Sequence, residues 1–123
     1  MITTLLIAAL IAIESGGNNN AQGQANEYGC LQIKPIAVED VNRILRLRGD
    51  DRVFTLEDRG DREKSVEMLR IYLGHYVNEN RIGHEPRMSD YARVWKGGPN
   101  GYLDPATLPY WEKVQRKMLD LTE

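Results

Sequence analysis

Cysteine is nearly absent from this chain: Cys30 stands alone among 123 residues. That excludes an intrachain disulfide and leaves a Cys-based zinc site short of ligands, so a buried, inert thiol is expected. Histidine is scarce too, and His75 and His84 form no H-E-x-x-H pattern and no metal triad. No phosphate-binding G-x-x-x-x-G-K-[ST] occurs, and no nucleophile-elbow motif supports a Ser-His-Asp triad. A basic surplus is missing as well. The formal net charge is −2, and bases and acids interleave in "RILRLRGDDR" and "EDRGDREK", which argues against a nucleic-acid partner. The longest apolar run, Ile2 to Ile13, falls short of the roughly 20 residues a bilayer requires, so no stable membrane association is expected. The first basic residue is Lys34, so that run also lacks the basic flank of a signal peptide.

What is present fits one globular domain over residues 1–123, with 41% hydrophobic and 28% charged residues. The run "ITTLLIAALIAI" reads as a helix that is apolar all round and therefore buried. Gly16 and Gly17 follow it as left-handed caps, and Asn18, Asn19 and Asn20 continue as a polar turn. This places Glu14 in the last turn. There the negative end of the helix dipole and an apolar surround both disfavour the carboxylate, so its pKa is expected to rise. A carboxyl protonated at neutral pH suits a general acid acting on a glycosidic oxygen. Position alone equally allows a Glu14 that faces solvent where the helix emerges.

The remaining pattern is helical. Residues 36–47 carry apolar side chains at 38, 41, 44, 45 and 47. Residues 61–80 put Val66, Leu69, Tyr72, Leu73, Tyr76 and Val77 on one stripe of a long amphipathic helix. A shorter helix is expected from an N-cap at Ser89 to Gly97 and Gly98. The last, about 108–121, follows Thr107 as N-cap, with Leu108, Trp111, Val114, Met118 and Leu121 inward. The fold class is mainly α, and residues 18–34 are the one place for a small β-hairpin or irregular loop.

Four short stretches then carry a resemblance. Glu14 and Ser15 precede a Gly/Asn-rich loop; Gly29, Cys30, Leu31, Gln32 and Ile33 match G-L-M-Q-I; "VWKGGPNG" approximates A-Y-N-A-G-P, with Trp95 for the Tyr and Gly98-Pro99 matching; and "ATLPYWEKV" supplies Thr107, Tyr110 and Val114 of E-T-x-x-Y-V. In this order and spacing the chain resembles the soluble-lytic-transglycosylase and goose-type lysozyme group of the lysozyme superfamily. The resemblance implies a lysozyme-like domain that cleaves the β-1,4 bond between N-acetylmuramic acid and N-acetylglucosamine in peptidoglycan, with no metal or organic cofactor. It implies Glu14 as catalytic acid, Ser15 as a polar residue beside the bound sugar or peptide, Gln32 as a glycan ligand, Gly29 as a close-approach point for substrate, and Tyr110 as support for the catalytic carboxyl.

Two positions stay open at this level. Glu27 reads either as a second catalytic carboxylate, which in inverting glycosidases stands roughly 6.5–9.5 Å from the acid, or as a solvated loop acid. Lys96 replaces the Asn of the third motif. It either lies near Glu14 and favours its carboxylate, or points outward toward a phosphate or carboxylate of the cell wall. Glycan strands are the expected partner of a monomeric chain that is phage-delivered or an excised domain of a longer protein. Two rivals accompany this reading: a glycosidase of chitin oligomers, and a non-catalytic glycan-binding or virion structural domain.

Overall fold

A computed structural model describes all 123 residues. Six α-helices and three short 3-10 turns account for the regular structure. The chain divides into two units, one of residues 14–72 and one of residues 1–13 with 73–123. No helix is long and apolar enough to cross a membrane.

Helix α1, Thr4–Ser15, buries Leu6, Ile7, Ala9, Leu10 and Ile11, as its unbroken apolar sequence requires. Its start is set by the Thr3 hydroxyl, which accepts from the Leu6 N–H at 3.1 Å.

Within residues 14–72, α2 spans Pro35–Leu47, with proline in its first turn, where its missing N–H costs nothing. Val38, Val41, Ile44 and Leu45 are buried, while Leu47, expected inward, is 67% exposed. The helix ends immediately beyond Leu47, and Gly49 takes the left-handed conformation that closes it. Asn42 then fixes the return strand of chain: its side chain accepts from the Phe54 N–H at 2.8 Å and donates to the Phe54 carbonyl at 2.9 Å. A 3-10 turn, Glu57–Gly60, leads into α3, Arg62–Tyr76.

Helix α3 stops earlier than the 61–80 stripe suggested. Asn78 is extended, and its side chain accepts from the Arg81 N–H, capping a separate short helix, α4, Glu79–Ile82, which Gly83 closes at φ 86°. A side-chain cap there outcompetes continuation of the helix.

In the other unit α5, Met88–Gly97, packs on α6, Leu108–Thr122, and on the 3-10 turns Gly101–Leu103 and Pro105–Thr107. The start of α5 corrects the expected Ser89 cap. The Asp90 carboxylate reaches back to the Arg87 N–H at 2.8 Å, so Ser89 lies inside the first turn. Thr107 occupies the N-cap position of α6, but its hydroxyl bonds the Gly101 and Asp104 carbonyls instead of the helix. On α6, Tyr110 and Val114 are buried, whereas Leu108 and Leu121 are 44% and 48% exposed. The expected inward face is therefore rotated toward Tyr110. No β-hairpin forms between 18 and 34; isolated bridges join Gln22 to Tyr28 and Tyr28 to Ile33.

Candidate active site

Glu14 lies half-buried in the last turn of α1. Gly16 and Gly17 follow at φ 64° and 91°, so the chain leaves the helix through two left-handed residues, as expected. Ser15 secures this exit. Its hydroxyl accepts from the Gly17 N–H at 3.1 Å and donates to the Cys30 carbonyl at 2.7 Å, tying the helix end to the "GCLQI" segment. The Ser15 hydroxyl thus holds two segments of the chain together.

Residues 28–33 form a closed turn. Tyr28 and Ile33 exchange both backbone hydrogen bonds at 3.1 Å, and the Gln32 N–H donates to Gly29 within them. Gly29 adopts φ 90°, and a Cβ there would fall on the carbonyl oxygen of Arg59. The direction a Cβ would take is therefore filled by the protein's own backbone. Gln32 takes φ 52°, uncommon for a residue with a side chain. Its Nε2 donates to the Ala21 and Gly29 carbonyls, each at 3.0 Å. Both amide hydrogens are thereby used, which fixes the amide orientation and leaves Oε1 as the atom able to meet a ligand donor.

Glu27 is likewise bound into its loop. Its Oε1 accepts from the Ala25 N–H at 2.7 Å, and its carbonyl accepts from the Gly23 N–H at 2.9 Å. A Cβ on Gly23 would meet Glu27 Oε1 at 2.8 Å and Gln32 Oε1 at 2.9 Å, so these two side chains converge over a glycine, and a larger residue there would push them aside.

Cys30 is fully buried, as expected. Burial raises its pKa above the ordinary thiol value, against the weaker lowering effects of the Arg62 charge and a Ser65 hydrogen bond.

Two arginines, Arg59 in the 3-10 turn before α3 and Arg62 at its first position, escaped the sequence reading. Arg59 Nη1 donates to the carbonyls of Asn26 and Ile33 at 2.8 and 2.9 Å, and its guanidinium lies 5.5 Å above the Tyr28 ring. Arg62 donates to the Gly17 carbonyl at 2.7 Å and to Asn19 Oδ1 at 3.2 Å. Their one sequence signal is a pair of bases three apart in "EDRGDREK", which reads as a mixed-charge surface. Asn20, Tyr28, Leu56, Glu57, Arg59, Gly60 and Asp61 line an open cavity of about 580 Å³ beside them.

Residues 14–72 thus gather Glu14, Ser15, Glu27, Gly29 and Gln32. Lys96 and Tyr110 belong to the other unit, where they meet each other: the exposed Lys96 ammonium sits 5.5 Å from the centroid of the buried Tyr110 ring. No group of three His, Cys, Asp or Glu side chains is arranged to hold a metal ion.

The family model described as "Transglycosylase SLT domain" matches residues 1–83. That range includes Glu14 through Gln32 and excludes Lys96 and Tyr110. The endo-type membrane-bound lytic murein transglycosylase A of Salmonella typhimurium is 36% identical over 91 residues, covering 72% of this chain and 43% of the relative. The protein of the same name from Salmonella enteritidis gives the same figures. The chain therefore spans less than half the length of these relatives. Among solved structures, a chain of the crystal structure of Aeromonas hydrophila PliI in complex with Meretrix lusoria lysozyme superposes with a TM-score of 0.76 at 20% identity, covering 94% of this chain and 89% of that one.

Proposed function

The chain belongs to the transglycosylase SLT domain family, and from that premise we propose that it is a peptidoglycan-cleaving lytic transglycosylase with Glu14 as general acid and then general base, residues 1–123 acting as one catalytic domain. The observation that carries the reading is the placement of Glu14. It is half-buried in the final turn of an apolar helix, and the neighbouring Ser15 hydroxyl ties that turn to the segment bearing Gln32. The negative helix end and partial burial favour the neutral carboxyl needed to donate a proton.

In the proposed reaction the Glu14 carboxyl protonates the oxygen linking N-acetylmuramic acid to N-acetylglucosamine, and the C1–O bond breaks. The Glu14 carboxylate then takes the proton of the muramoyl C6 hydroxyl, whose oxygen bonds to C1. The product carries a 1,6-anhydro end, no water is consumed, and Glu14 is protonated again. A one-carboxylate cycle is supported by Glu27, whose Oε1 is engaged with the Ala25 N–H in organising its own loop. The names of the relatives support an endo-acting transglycosylase.

The test is mass spectrometry of soluble products after incubating purified peptidoglycan with wild type and Glu14→Gln. Wild type is expected to release muropeptides with 1,6-anhydro ends, lighter by one water than hydrolytic products, and the variant none. Reducing ends would make the enzyme a hydrolase and return Glu27 to the mechanism. Absence of any release, with turnover of chitin oligomers or binding alone, would replace the reading.

A further inference from the structure

The 3-10 turn Glu57–Gly60 and the first residue of α3 direct one arginine each at two loops, one that follows Glu14 and one that carries Gln32. Arg62 reaches the loop that leaves Glu14: Nη2 donates to the Gly17 carbonyl at 2.7 Å and Nε to Asn19 Oδ1 at 3.2 Å. Arg59 reaches the loop that carries Gln32. Its Nη1 holds both ends of that loop through the Asn26 and Ile33 carbonyls, while Nε donates to Leu56 at 2.9 Å. The same residue's carbonyl accepts from the Ser65 hydroxyl at 3.0 Å and packs on the bare Cα of Gly29. Each guanidinium donates from two nitrogens, Arg62 through Nη2 and Nε and Arg59 through Nη1 and Nε, at positions a single ammonium cannot occupy together.

The loops need such fixing. The first has two consecutive left-handed glycines directly after Ser15, the last residue of α1, and the second holds Gln32 at φ 52°. Glycine pairs confer no preference for one path, and a left-handed glutamine persists where its surroundings enforce it.

We infer that Arg62 and Arg59 are separate positioning residues, Arg62 for the acid Glu14 and Arg59 for the glycan ligand Gln32. The inference rests on the proposed transglycosylase reading for those two roles; the holding contacts themselves do not. Separate loops predict separable defects. Arg62→Ala should lower kcat on soluble, uncrosslinked glycan strands by on the order of tenfold to a hundredfold, the scale of a misplaced catalytic group, with KM held within about twofold. Arg59→Ala should raise KM on a similar scale while kcat changes less. Lysine at either position keeps one donor nitrogen of the two and should restore activity in part.

Amide hydrogen exchange reads the same contacts without turnover. The loops meet through Tyr28 and Asn20 and through Ser15 and Cys30, so Arg62→Ala should speed exchange most in residues 16–20, and Arg59→Ala most in 26–33. Should Arg59→Ala fail to fold, Arg59→Lys serves in its place. Equal losses in kcat and KM for both variants, or activity falling only in proportion to the unfolded fraction, would overturn the assignment, as would unchanged exchange in the targeted loop. If wild type releases no products from glycan strands, the transglycosylase reading fails, and the exchange pattern alone upholds or overturns the two-loop clamp.

Discussion

Substituting alanine for three glycines separates two costs that the structure combines at Gly29. Gly16 has φ 64° with nothing within 4 Å of an added Cβ, so its alanine variant meets only the strain of a left-handed backbone. That strain is roughly 1–2 kcal/mol, offset by about 0.4–1 kcal/mol because alanine restricts the unfolded chain. Gly101 is the converse. Its φ lies outside the left-handed region, but a Cβ would overlap the Arg93 carbonyl oxygen and press on Val94. Overpacking of this kind costs about 1–3 kcal/mol, since backbone atoms must move. Gly29 bears both burdens, with φ 90° and the Arg59 carbonyl where the methyl would go. Gly29→Ala should therefore lose roughly 2–5 kcal/mol, a large part of the ~5–15 kcal/mol that holds a typical domain together. In urea this moves the unfolding midpoint down by roughly 1–3 M at an unchanged slope. Gly16→Ala should shift it by a few tenths of that, and Gly101→Ala should fall between. If Gly29→Ala proves no less stable than Gly16→Ala, the Gly29 backbone is not packed on Arg59, and the account of the "GCLQI" turn fails with it.

Thr107 is 2% exposed, and its hydroxyl serves the Gly101 and Asp104 carbonyls and the Arg93 Nε–H. Thr107→Val keeps the shape and removes the bonds, so a loss of about 1–3 kcal/mol is expected by denaturant titration, and a loss below about 0.5 kcal/mol would contradict the network. The Asp58 carboxyl is held below the usual aspartate value, first by the Thr55 N–H and then by Lys64. Its contribution is present above the unfolded pKa of about 3.9 and is lost as pH falls through the lower folded value. Asp58→Asn should thus flatten the acid limb of urea midpoints measured from about pH 6 down to pH 2; identical limbs would exclude the effect. The Cys30 thiol, buried and raised in pKa, should resist a thiol reagent in native buffer at about pH 8 and react fully in denaturant. Rapid native labelling would show that the loop around it opens.

The helices were legible wherever the signal was local. The apolar run closed by Gly16 and Gly17, the proline that opens α2, and the glycines that close α5 sit next to the structure they cause. Boundaries failed where a side chain from a neighbouring position took over, as Asn78 does in ending the stripe after Tyr76 and Asp90 does in moving the start of α5 ahead of Ser89. Faces failed near helix ends. Leu47, Leu108 and Leu121 fit a periodic stripe, but terminal turns have little left to pack against. The site divides along the same line. The residue types at 14, 15, 29 and 32 could be read from short motifs, whereas what they touch depends on Arg59 and Arg62, whose partners lie 26 to 45 positions away. No periodicity reports a contact between a guanidinium and a distant carbonyl.

An acid at the end of the most apolar helix can now be given a physical account. The buried residues of α1, Leu6 to Ile11 apart from Ala8, precede Glu14 and leave the carboxyl in a half-buried final turn. Each large apolar side chain so buried contributes roughly 1.5–3 kcal/mol, enough to hold a helix whose last turn is unfavourable for a charge. The carbonyls of that turn still require partners. The Asn18 N–H meets the Ser15 carbonyl at 3.3 Å, two left-handed glycines turn the chain aside, and the Ser15 hydroxyl and the Arg62 guanidinium hold the exit at Cys30, Gly17 and Asn19. None of these contacts needs the Glu14 carboxyl. Apolar burial secures the helix, and a separate polar network secures its exit.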